Sequence, residues 1–97
     1  MELSFDGDVI EWRGPAPFVF VRVPDEESEE IHAVSRELTY GWGCIPVSVR
    51  LGGSEWTTAL MPKDGAYLVP LRKAYREAEG IDVDDVVPVT LTLGTRG

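Results

Sequence analysis

The residues that most often carry chemistry are scarce in this sequence. It holds one cysteine and one histidine in 97 residues. A single cysteine excludes an intramolecular disulfide and any zinc site built from several cysteines. Basic residues are also few, 9 Lys and Arg against 17 Asp and Glu, for a net charge of −8. A field of that sign repels nucleic acid and anionic lipid. No apolar run approaches the ~18 residues that a membrane helix needs. Met1-Glu2 begins without the basic and then apolar stretch of a secretory signal. The expectation is a soluble, cytoplasmic domain. What is present is a globular composition, 43% hydrophobic and 27% charged, in a length that one core can serve. Residues 1–97 read as a single domain without linker, repeat or low-complexity tract.

Turn residues punctuate the chain at regular intervals. Met1–Trp12 alternates, with Leu3, Phe5, Gly7 and Val9 on one face and Glu2, Ser4, Asp6 and Asp8 on the other, the pattern of a half-buried strand. Arg13-Gly14-Pro15-Ala16-Pro17 is a turn. Phe18–Val23 follows as a strand apolar on both faces, expected to be central or covered on both sides. After Pro24, acidic residues from Asp25 to Glu30 fill the first turns of a helix, where carboxylates complement the positive end of the dipole. Ile31, Val34 and Leu38 give that helix one apolar stripe. It ends near Thr39, before the Gly41-Trp42-Gly43 turn.

Ile45, Val47, Val49 and Leu51 alternate in a third strand, and Gly52-Gly53 returns the chain into Glu55–Met61 as a hairpin. Pro62-Lys63-Asp64-Gly65 reads as a turn and Ala66–Val69 as a short strand. Pro70 opens a second helix with Leu71, Ala74, Tyr75 and Ala78 on one side. Gly80 sits where a helix C-terminus wants a left-handed residue, with Ile81 placed to fold back on Tyr75 or Arg76. Val87, Val89, Leu91 and Leu93 alternate in a last strand, in which Pro88 removes a ladder donor. About six short strands and two helices predict a mainly β domain, a small closed β-barrel or tight sandwich with helices at its ends.

Three blocks resemble a known family. They are Phe18–Pro24 before an acidic helix; Ile45-Pro46-Val47 with Gly52-Gly53, Trp56, Thr57 and Pro62; and Asp64–Pro70 before a basic helix and Gly80-Ile81. In this order they resemble the bacterial family called domain of unknown function 1905, over nearly the whole chain. The resemblance implies a double-split β-barrel and no established activity, cofactor or catalytic residue. The C-terminal half is also similar to AbrB-type DNA-binding swapped-hairpin domains, which are typically dimers. Those carry a glycine-aspartate pair before the last strand, where this chain has Asp84-Asp85. The acidic charge keeps their function from passing across with the topology.

Candidate sites are few. His32 and Cys44 need only meet in space to form a nucleophile pair, but nothing in the sequence orients the histidine, and both read as filler. Asp82, Asp84 and Asp85 lack the length and central glycine of a calcium loop and read as a solvated turn. No catalytic residue, metal site or cofactor is expected. Lys63, Arg72, Lys73 and Arg76 form a local basic patch, and Arg72 and Arg76, spaced i, i+4, could together grip a carboxylate or phosphate. Trp42, Trp56 and Tyr67 either line a ligand cleft at the barrel mouth or cap the core. The reading is a non-enzymatic module that binds a small anion or a protein through Trp42, Trp56, Tyr67, Arg72 and Arg76. The alternative is an AbrB-like nucleic-acid-binding or antitoxin-type regulator, which the charge disfavours.

Overall fold

The computed structural model describes residues 1–12, 18–38 and 45–94. Its elements run β1 (Glu2–Trp12), β2 (Phe18–Arg22), α1 (Asp25–Leu38), β3 (Ile45–Leu51), β4 (Ser54–Lys63), β5 (Ala66–Pro70), α2 (Lys73–Ala78) and β6 (Val86–Leu93). The six strands close an antiparallel barrel in the order β1-β2-β5-β4-β3-β6. The fold is mainly β, as the strand pattern predicts. Alternation sets the register: Val9, Val21, Val47, Val49, Val69, Ile45, Leu60 and Leu91 all point inward and are fully buried. Each such side chain contributes about 1.5–3 kcal/mol by leaving water. Ile31 of α1 and Ile81 after α2 join the same cluster.

β1 serves two neighbours. Its residues Glu2–Asp8 pair with β6, and Asp8–Trp12 pair with β2. Gly7 stands just before that exchange, inside the barrel. A Cβ there would lie 2.5 Å from Val21 Cγ1 and 2.9 Å from the Arg22 carbonyl oxygen. One of these contacts is with backbone, which cannot swing away. Gly7→Ala is therefore expected to cost about 1–3 kcal/mol by overpacking. A lower urea midpoint at unchanged slope is the measurement that checks it.

Three features differ from the sequence reading. β4 runs on through Pro62 and Lys63, with Pro62 opposite Tyr67, so the turn shrinks to Asp64-Gly65. Both turn residues have positive φ, 51° and 80°, the demand of a two-residue type I′ hairpin. Pro70 closes β5 opposite Phe20 instead of opening the helix. The helix starts at Lys73, with Arg72 as its N-cap. Phe18 is the third difference: it begins β2 but is exposed.

The C-terminus of α2 matches its sequence signal. Gly80 has φ 64°, the Gly80 N–H donates to Glu77 O at 3.2 Å, and the Ile81 N–H donates to Arg76 O at 3.0 Å. This pair of bonds is the Schellman motif. The turn after it forms without the glycine of the AbrB-type pattern. The Asp85 N–H donates to Asp82 O at 3.1 Å, Asp84 takes φ 77°, and the Asp82 N–H donates to Asp85 Oδ2 at 2.8 Å. An L-residue in the left-handed region is strained, so Asp84→Gly is expected to raise stability by up to ~1 kcal/mol. A thermal melt showing no gain, or a loss, would contradict this account of the turn.

Candidate functional site

The sequence-derived candidates fall in three places. Trp42 and Cys44 lie outside the described residues. Trp56 and Tyr67 are built into the core, only 7% and 5% exposed. The Trp56 ring stacks on Tyr75 of α2 with centroids 4.4 Å apart and planes at 10°, so these aromatics clamp the helix to the barrel. The indole Nε1 of Trp56 is buried and meets no acceptor among the described residues. Ser28, the one buried polar residue of the described core, links α1 to the barrel. Its hydroxyl donates to Val23 O at 3.1 Å and accepts from the Tyr67 N–H at 3.4 Å.

Arg72 and Arg76 do not form the expected pair on one helix face, because Arg72 stands before the helix in an extended conformation. Arg76 Nε donates to Ile81 O at 3.1 Å, which reinforces the helix end. Lys73 lies 3.7 Å from Glu77 in an exposed pair, an arrangement that contributes only a few tenths of a kcal/mol. Glu79 ties the helix to the β3–β4 hairpin. Its carboxylate accepts from the Ser54 hydroxyl at 2.7 Å and the Gly53 N–H at 3.3 Å. It also fills the space a side chain at Gly52 would need. His32 is exposed on α1. Among the described residues no group of His, Cys, Asp or Glu is arranged to hold a metal ion.

Two outer surfaces stand out instead. The first is aromatic. Trp12 and Phe18 sit opposite one another in the β1–β2 ladder and remain 47% and 60% exposed. Lys63 Nζ lies 3.5 Å from the centre of the Trp12 ring, a cation–π contact. The Phe18 and Phe20 rings are 6.3 Å apart, and Met61 of β4 is also exposed.

The second surface is polar and crosses four strands. One row reads Glu2, Thr92, Ser48, Thr57, and the next reads Ser4, Thr90, Arg50, Glu55. Within the second row Ser4 and Thr90 hydroxyls are 3.1 Å apart, and Arg50 Nε donates to Glu55 Oε1 at 2.8 Å. A groove of about 420 Å³ lies over these rows. A neighbouring depression shares Arg50 and Thr90 and continues to Asp6, Gly52 and Pro88. Sequence reasoning missed this surface, although a two-residue turn at Gly52-Gly53 necessarily sets Arg50 opposite Glu55.

A closed six-stranded antiparallel barrel with two short helices is a small mainly β domain. No described helix is long and apolar enough to cross a membrane. The sequence pattern of the domain of unknown function family DUF1905 matches residues 5–91, and the chain belongs to that family. Among curated proteins, none matches this chain.

Proposed function

We propose that this barrel is a non-enzymatic binding module whose main contact surface is the aromatic outer face. The observation that carries the reading is the cross-strand pair Trp12 and Phe18, held in a ladder yet left in water. Folding gains little from aromatics in that position, whereas a partner that covers them gains much. Trp is among the residues that most often dominate interface energy, at about 2 kcal/mol or more each. Their strand setting fixes the backbone beforehand, which lowers the entropy lost on docking. Trp56 and Tyr67, by contrast, belong to the core and offer little outer surface. A single cysteine suits the cytoplasm.

The test replaces Phe18 with a photo-crosslinking phenylalanine analogue in the native host. One discrete adduct, lost on Trp12→Ser in a chain that still folds, is expected. Crosslinks spread over abundant proteins, or an adduct indifferent to Trp12, would overturn the reading.

Kinship with AbrB-like double-split barrels is the finer structural proposal. It draws support from β1 pairing with different strands along its two halves and from the Gly80-Ile81 motif leading through a turn into β6. The regulator function of AbrB-type domains does not follow from a shared topology. Arg72 and Lys73 are exposed, but they belong to a chain of net charge −8. No shift of random duplex DNA is expected even at low salt, where non-specific phosphate contacts are strongest.

A further inference from the structure

We propose that the polar groove across β1, β6, β3 and β4 is a binding site for a neutral polyhydroxylated ligand, a sugar or polyol. The two depressions meet at Arg50 and Thr90, so the site is elongated. Each has a volume of about 420 Å³, within the ~300–1,000 Å³ span of small-molecule pockets.

Charge selects the ligand class. Glu2, Glu55 and Asp6 line the groove with one guanidinium, that of Arg50. An anion would meet net negative charge, and Arg50 already spends its Nε on Glu55. A cation would find the carboxylates dispersed, Glu2 and Asp6 in separate depressions and Glu55 already paired with Arg50, and would meet that guanidinium where the depressions join. A neutral molecule with a hydroxyl on each carbon avoids both penalties, because every hydroxyl can donate to a carboxylate and accept from an arginine. The Arg50–Glu55 pair offers a planar donor beside a planar acceptor, held 2.8 Å apart. Charge-assisted bonds of this kind are roughly twice as strong as neutral ones.

Preorganisation supports the same class. The groove rests on paired strands, and its threonines are β-branched, with little rotamer freedom to lose. The sheet fixes successive polar side chains along each strand about 6–7 Å apart, two residues of strand rise, a spacing that hydroxyls on opposite sides of one sugar ring can bridge.

The experiment is an amide-resolved NMR titration of the full chain with trehalose, myo-inositol, glycerol and sodium sulfate. Trehalose and myo-inositol are expected to shift amides of Ser48, Arg50, Thr57, Thr90 and Thr92. Trehalose, long enough to reach both depressions, should also move Gly52. Glycerol should shift them less. The shifts should vanish in Arg50→Met, with Thr57→Val as the second variant should the first fail to fold. Shifts spread evenly over the barrel, shifts retained in both variants, tighter binding of sulfate than of the polyols, or no shift with any polyol would each overturn the site.

Discussion

Leu91→Asp is expected to unfold the protein. Leu91 is fully buried, and its neighbours across the ladders are Leu3 of β1 and Val49 of β3. A carboxylate placed there would have no partner and no water. The cost is several kcal/mol, against a total stability of ~5–15 kcal/mol for a domain of this kind. Val49→Asp should behave alike, because Val49 faces Trp56 and Leu91 in the same interior layer. Thr90→Lys, one residue away on the outside, should change stability by no more than ~0.5 kcal/mol beyond its contact with Ser4. Far-UV circular dichroism through a urea series reads all three. Leu91→Asp remaining folded while Thr90→Lys unfolds would mean that β6 is threaded with its faces exchanged.

Trp56 is the second place where a large effect is expected. Trp56→Ala removes the ring stacked on Tyr75 and opens a cavity under α2, at a cost of about 3–5 kcal/mol. Trp56→Phe should cost far less, within ~1 kcal/mol of the parent. It keeps an aromatic face for Tyr75 and removes an N–H whose burial without a partner itself costs about 1–3 kcal/mol. Thermal melts of the two variants separate the ring from its nitrogen. Equal losses in both would show that the indole N–H makes a contact on which the fold depends.

Barrel, strand faces and α2 cap were legible because each rests on a local rule. Alternation at Ile45–Leu51 and Val87–Leu93 has period 2 and one buried face; Gly80 answers a local backbone demand. What the sequence hid depends on pairing between distant segments. Pro62 and Pro70 are locally turn signals, yet both sit in strands. A proline is tolerated in a strand wherever its missing N–H falls on a side without a ladder partner. Trp56 and Tyr67 read equally well as a ligand wall or a core cap, and only the position of Tyr75 decides between them. Arg50 and Glu55 become notable only once Thr90 and Ser4 are laid beside them by strands from opposite ends of the chain. Ser28 gave no signal at all, since one serine in an acidic helix is ordinary until β5 brings Tyr67 against it.

Pro88 bears on how this protein survives at high concentration. The Leu93 N–H points to β1, bonding Met1 O at 2.8 Å, and the Gly94 N–H points to β3, bonding Pro46 O at 3.0 Å. By alternation the nitrogens of Thr92, Thr90 and Pro88 all face β3. Pairing with β3 stops at Arg50 and Thr90, and the next nitrogen on that side is the one that carries no hydrogen. Where the seam between the two strands opens, an intruding chain therefore finds no donor on which to start a new ladder. Sheets propagate from one molecule to the next by such templating, and a proline at the exposed step is a recurrent defence against it. Replacing Pro88 with valine is expected to leave the monomer's own pairing unchanged while uncovering that donor, so its consequence belongs to the population rather than to the single molecule: a rise in thioflavin fluorescence at concentrations where the parent shows none.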